Sequence, residues 1–374
     1  MGDDKNKKRK FACVALSPIN ISSKKIKKKT PLFLSDSESE YSNSDSETES
    51  VESYICDESM ELIEFNQEIK TLQDLIDLGN KFDRTKRYEF DMRKLNKMVP
   101  AMEKINNFIG MTSIKNHLVD HILFYLQSEK FKIMEKDIMH TVITGPPGVG
   151  KTEFAKALGE LYLSMGILSN NKFVKVTRSD LVAKYLGQTA IKTKEKIKSC
   201  LGGVMFIDEV YSLGNRELRD SFAKEAIDTL NEHLTDMKDN LICIVAGYKE
   251  EVNDCFFAYN KGLPSRFPIR FEIEGYDYKE LFQIFKQKVE KSLWKLDEKI
   301  DDNFFKNKMK DLKYFGRDIE NLLTQIKRVH SRRVFTRKSE EKTLITQDDM
   351  NNGLNQFLSF NKNENEGPPL NMYI

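Results

Sequence analysis

The run Gly145-Pro146-Pro147-Gly148-Val149-Gly150-Lys151-Thr152 constrains this chain more than any other stretch. It fits G-x-x-x-x-G-K-[ST] at every fixed position, between the short apolar run Met139-His140-Thr141-Val142-Ile143-Thr144 and the helically spaced Glu153-Phe154-Ala155-Lys156-Ala157-Leu158. Strand, glycine-rich loop and helix in that order predict a phosphate cradle. The glycines let main-chain N–H groups turn toward one anion, and the new helix adds the positive end of its dipole. Lys151 is expected to reach the β- and γ-phosphates of a nucleotide, and the Thr152 hydroxyl to bind Mg²⁺.

About sixty residues on comes Val204-Met205-Phe206-Ile207-Asp208-Glu209. Four apolar residues capped by two acids predict a central parallel strand covered on both faces, with carboxylates at its C-terminal edge. Open α/β sheets keep their ligands at that edge. Asp208 is expected to hold Mg²⁺ through water, and Glu209 to orient or deprotonate the attacking water. Strands are also predicted at 172–177 and 241–246, with helices over 150–166, 188–200 and 222–238 between them. The alternation implies a doubly wound parallel sheet of the α/β class.

The flanks differ from this centre. Residues 1–30 hold ten Lys or Arg against two Asp, in the clusters 7–10 and 24–29; residues 35–64 hold eleven Asp or Glu, nine Ser and no Lys or Arg. Such blocks bury too little apolar surface to offset ordering entropy, so 1–60 is expected to be a disordered tail. The basic clusters suit nuclear import or an anionic partner, or are simply a solvated polyampholyte. From 61 to 103 the apolar spacing predicts a small helical module ending near Pro100, and 104–140 one or two further helices. His117 and His121 share a helix face without a third ligand and read as polar surface. Net charge is only +2, so no global excess argues for nucleic acid. Five cysteines without a C-x-x-C pair suit an intracellular, reduced protein. No apolar run is long enough to span a bilayer. Phe11–Leu16 is too short for a signal peptide, and Asn6 departs from the myristoylation pattern. The expected location is cytoplasmic or nuclear, neither secreted nor membrane-bound.

Eight motifs in order resemble an AAA+ ATPase, more narrowly the CbxX/CfqX family, over roughly residues 104–360. They are Gly145–Thr152, Thr177–Leu181, Tyr185–Ala190 with Lys192–Lys194, Phe206–Tyr211, Lys224–Asp228, Ala246–Tyr248, Gly262–Phe267 and Phe315–Ile319. The lysine-, asparagine- and isoleucine-rich usage and the long tail resemble versions from large DNA viruses of amoebae. The resemblance implies a five-stranded parallel sheet flanked by helices over 104–275, a helical lid over 276–360 and a loose tail over 361–374.

It also implies site residues. Ile109 and Gly110 would border the adenine of ATP, and Arg317 would contact the γ-phosphate from within the same chain. Arg266 would be an arginine finger reaching a neighbouring subunit's nucleotide, lowering the barrier by roughly 4–7 kcal/mol for rate effects of about 10³–10⁵. Tyr185 would grip a polypeptide in the channel of a homo-oligomeric, hexameric ring. Tyr248 stands where many relatives of the wider class have Asn and receives no catalytic role. The implied function is ATP-driven remodelling of an unidentified protein client. The alternative is a nucleic-acid-dependent ATPase using the basic tail.

Overall fold

The apolar runs become the strands of one parallel sheet: β1 (Thr141–Thr144), β2 (Phe173–Val176), β3 (Val204–Ile207), β4 (Ile242–Gly247) and β5 (Ile269–Glu272), in the order β2-β3-β4-β1-β5. In the computed structural model, the described residues are 61–131, 138–185, 187–337 and 342–365, all within one compact unit. The tail expected over 1–60, with its basic clusters, lies outside them, as do Leu186 and residues 366–374.

Every residue of β3 and β4 is buried. Side chains alternate between the sheet's faces, so Phe206 and Ile244 join one core with Phe154, Leu158 and Phe271. Met205, Ile207 and Val245 join a second core with Ile197, Ile227 and Leu230. Hence continuous hydrophobicity, rather than alternation, marks these strands. At the sheet's edge β5 does alternate, with Ile269 and Phe271 buried and Arg270 and Glu272 exposed.

Helix α4 (Lys151–Ser164) leaves the glycine-rich loop and packs against α2 (Met92–Asn106), which itself packs on α1 (Leu72–Gly79). Thr71 and Asp74 form a capping box at the start of α1. The expected stop at Pro100 does not occur. Helix α2 passes through it to Asn106. Proline lacks the N–H for one helical bond, but burial of Met98, Val99, Ala101, Met102 and Ile105 holds the turn in place. Helix α3 (Thr112–Phe131) follows, where His121 packs edge-on against the Phe271 ring. Helices α5 (Thr189–Cys200), α6 (Ser221–Asp236) and α7 (Lys249–Cys255) complete the flanks.

Three long helices form most of the C-terminal part: α8 (Tyr278–Lys291), α9 (Phe315–Val334) and α10 (Gln347–Asn365). Leu281, Phe285, Ile319, Leu322, Ile326, Leu354 and Phe357 supply their shared core. Trp294 packs against it, edge-on to His330. Helix α10 continues to Asn365, past the expected start of the loose tail at 361. Among the described residues no helix is long and apolar enough to cross a membrane.

Candidate active site

Strands β1, β3 and β4 end at one edge of the sheet, and a cavity of about 540 Å³ opens there. Pro147 to Thr152, Asp208, Glu209 and Arg317 line it, together with Ile109. Sequence reasoning thus brings one coherent set together. Gly145 and Pro146 line a neighbouring hollow with Tyr248, Glu272 and Tyr314. Gly110 faces Glu280 of α8.

The loop folds this way because Gly148 and Gly150 take φ of +79° and +89°, where a side chain is strained. Gly150 also caps α4, so the first N–H groups of that helix remain for an anion. Lys151 Nζ donates to the carbonyls of Gly145 (2.9 Å) and Pro146 (2.8 Å), and lies 4.5 Å from the centre of the Tyr248 ring. Burial lowers its pKa to about 8, with Arg317 adding to the effect and Asp208 and Glu209 opposing it.

Thr152 Oγ1 donates to Asp208 Oδ2 at 3.0 Å. A hydroxyl and a carboxylate side by side form a hard-oxygen pair that suits Mg²⁺. Lys175 Nζ, from adjacent β2, lies 3.1 Å from the same Oδ2. Glu209 is exposed and left-handed at φ +49°. Such a conformation in a residue with a side chain costs of order 1–3 kcal/mol and gathers at functional sites. Beside it Tyr211 stacks on Tyr248, rings 5.2 Å apart. Burial, then Tyr248 and Glu209, push the Tyr211 phenol well above its ordinary range.

The C-terminal helices close directly on the loop. Tyr276 donates its hydroxyl to Val149 O at 2.8 Å. Phe315 is left-handed at φ +42°, and the next residue, Gly316, donates its N–H to Gly148 O at 3.0 Å. That turn delivers Arg317 into the cavity.

Two expected residues lie elsewhere. Arg266 sits on the short 3₁₀ turn Leu263–Arg266 and does not line its own chain's cavity. Its Nη1 donates to Ser265 Oγ, while its Nε is buried without a partner. The turn is braced from α6: Asn260 Nδ2 donates to Asp228 Oδ1, and Gly262 N–H to Asn260 Oδ1. Tyr185 is 69% exposed on the segment before α5, clear of the core. Sequence reasoning missed Lys175, Tyr276 and the place of Tyr211. Only Tyr211 lies within one of the eight motifs; a lysine inside a strand is the one local signal for Lys175.

Residues 141–274 match the family model described as ATPase family associated with various cellular activities (AAA). The chain is 41% identical over 311 residues to a CfxQ-like protein of Acanthamoeba polyphaga mimivirus, covering 81% of this chain and 76% of that one. It is 36% identical over 204 residues to stage V sporulation protein K of Bacillus subtilis, covering 53% of this chain and 62% of that protein. Over 193 residues it is 36% identical to the ESX-1 secretion system protein EccA1 of Mycobacterium tuberculosis, covering 50% of this chain and 34% of that one.

Proposed function

The chain belongs to the CfxQ-like family of AAA ATPases, and from this premise we propose that its copies form a hexameric ring that spends ATP on remodelling or translocating a protein client. ATP binding and hydrolysis are properties of the family. The position of Arg266 carries the rest: a guanidinium outside its own cavity, with Nε buried and unpartnered, is suited to a neighbour's nucleotide.

In this reading the N–H groups of the loop and Lys151 bind the phosphates, and the turn at Ile109–Gly110 borders the adenine. Thr152 and Asp208 would hold Mg²⁺, which supplies positive charge against the phosphate oxygens. Glu209 orients the attacking water and takes its proton. Arg317 meets the terminal phosphate from the same chain, and Arg266 from the next. Tyr185, exposed and aromatic, meets the client. A secretion-system protein among the relatives supports a protein client.

The test uses Glu209→Gln. Loss of a general base should cut turnover by at least about 10²-fold, while ATP and the assembled state are retained and client protein co-purifies. Unfolded protein should raise the wild-type rate. Stimulation by single-stranded DNA or RNA instead would favour the nucleic-acid reading. Unchanged turnover in the variant would remove Glu209 from the mechanism.

A further inference from the structure

Helix α2 stops at Asn106, and the chain turns through 107–111 before α3 begins. Gly110 and Met111 are left-handed, with φ of +67° and +56°. Asn107, Phe108 and Ile109 line the cavity. The phosphate loop and the two acids line one part of it, and α8 and α9 add Ile284, Gln287, Lys288 and Glu320; in the ATPase reading this turn is the wall beside the base. What holds the turn is a lysine that reaches back from α3. Lys115 Nζ donates to Asn106 O at 3.0 Å and to Phe108 O at 2.6 Å.

The two bonds have a directional consequence. In a trans peptide the carbonyl and the following N–H point opposite ways. Fixing Phe108 O toward Lys115 therefore turns the Ile109 N–H away from it. Among the described residues that N–H has no protein acceptor, whereas those of Asn107 and Phe108 bond to Glu103 O and Ile105 O. The Phe108 ring is anchored too, edge-on to Phe154 of α4 at 6.0 Å. A fixed main-chain donor at a base wall favours a purine with an acceptor there. Adenine offers N1 as an acceptor, where guanine carries N–H.

We propose that Lys115 is a positioning residue for nucleobase recognition: its ammonium orients the Ile109 N–H and thereby sets the preference for adenine over guanine. The proposal deepens the ATPase reading and rests on it. Glu280 of α8 supports the far side of the same turn, since a Cβ on Gly110 would come 2.5 Å from its Oε1. Burial lowers the pKa of Lys115 and Glu280 opposes that shift, as expected for an ammonium held inside by carbonyls.

The experiment displaces a fluorescent ATP analogue from the full chain with ATP, GTP or inorganic tripolyphosphate. For Lys115→Met, ATP affinity should fall about tenfold, the size expected for losing an oriented hydrogen bond to the base. Tripolyphosphate affinity should stay at the wild-type value, and the ATP-over-GTP ratio should shrink. Lys115→Arg, which keeps two donors, should retain most of that ratio and keeps the test open should the Met variant fail to fold. An unchanged ratio, or an equal loss for tripolyphosphate, overturns the proposal. Failure of the underlying reading looks different: the wild type itself would bind neither ATP nor tripolyphosphate.

Discussion

Gly316 donates its backbone N–H to the carbonyl of Gly148 at 3.0 Å, so the C-terminal helices and the phosphate loop share a hydrogen bond. The approach is close: a Cβ on Gly148 would fall 1.9 Å from Tyr314 O. Gly148→Ala should therefore displace the turn that carries Arg317 as well as strain the loop. Gly150→Ala meets nothing within 4 Å and carries only left-handed strain, about 1–2 kcal/mol. Hydrogen exchange of the 314–317 amides should rise in the first variant and not in the second. Equal protection in both would refute the coupling.

In the ATPase reading, Lys175 would oppose Mg²⁺ binding by pairing with the Asp208 carboxylate. Half of the lysine side chain is exposed, so the pair is worth at most about 1 kcal/mol after solvent screening. Lys175→Met should lower the Mg²⁺ concentration for half-maximal ADP binding by up to about fivefold. Titration of Mg²⁺ against a fluorescent ADP analogue measures this. A rise in the Mg²⁺ requirement would mean that Lys175 assists the site instead.

His140 is fully buried immediately before β1, between two main-chain partners. Its Nδ1 accepts from Cys243 N–H at 3.0 Å, and its Nε2 pairs with Leu234 O at 2.9 Å. Only the neutral ring with the proton on Nε2 satisfies both. Burial accordingly lowers its pKa from 6.5 to about 4. The unfolded chain binds this proton more readily than the folded one. The stability due to neutral His140 is thus complete above about pH 6.5 and fades as pH falls toward 4, by roughly 3 kcal/mol in all. In urea melts, the stability difference between wild type and His140→Gln should shrink by that amount from pH 6.5 to 4. A constant difference would exclude a neutral buried ring.

Local signals made the centre of the molecule readable from sequence. Gly145–Thr152 specified its own loop geometry, and the uniform apolar runs at 204–207 and 242–246 could only be strands covered on both sides. What stayed hidden depends on distance along the chain. Nothing near Gly148 announces Gly316, 168 residues later, and nothing near Asp208 announces Lys175 on the next strand. Pro100 misled because burial outweighs one missing N–H. The short edge strand β5 was expected only through family resemblance, its four residues being too few for a clear period.

In the proposed ring, ATP is cleaved with help from the next copy. Mixing Arg266→Ala with Glu209→Gln tests it, because each variant alone should be inactive. In a random 1:1 ring, an Arg266→Ala copy with intact Glu209 can borrow the finger of a Glu209→Gln neighbour, so turnover should return to about a quarter of wild type. If the mixture stays as inactive as its two components while still assembling, Arg266 does not act across a subunit border.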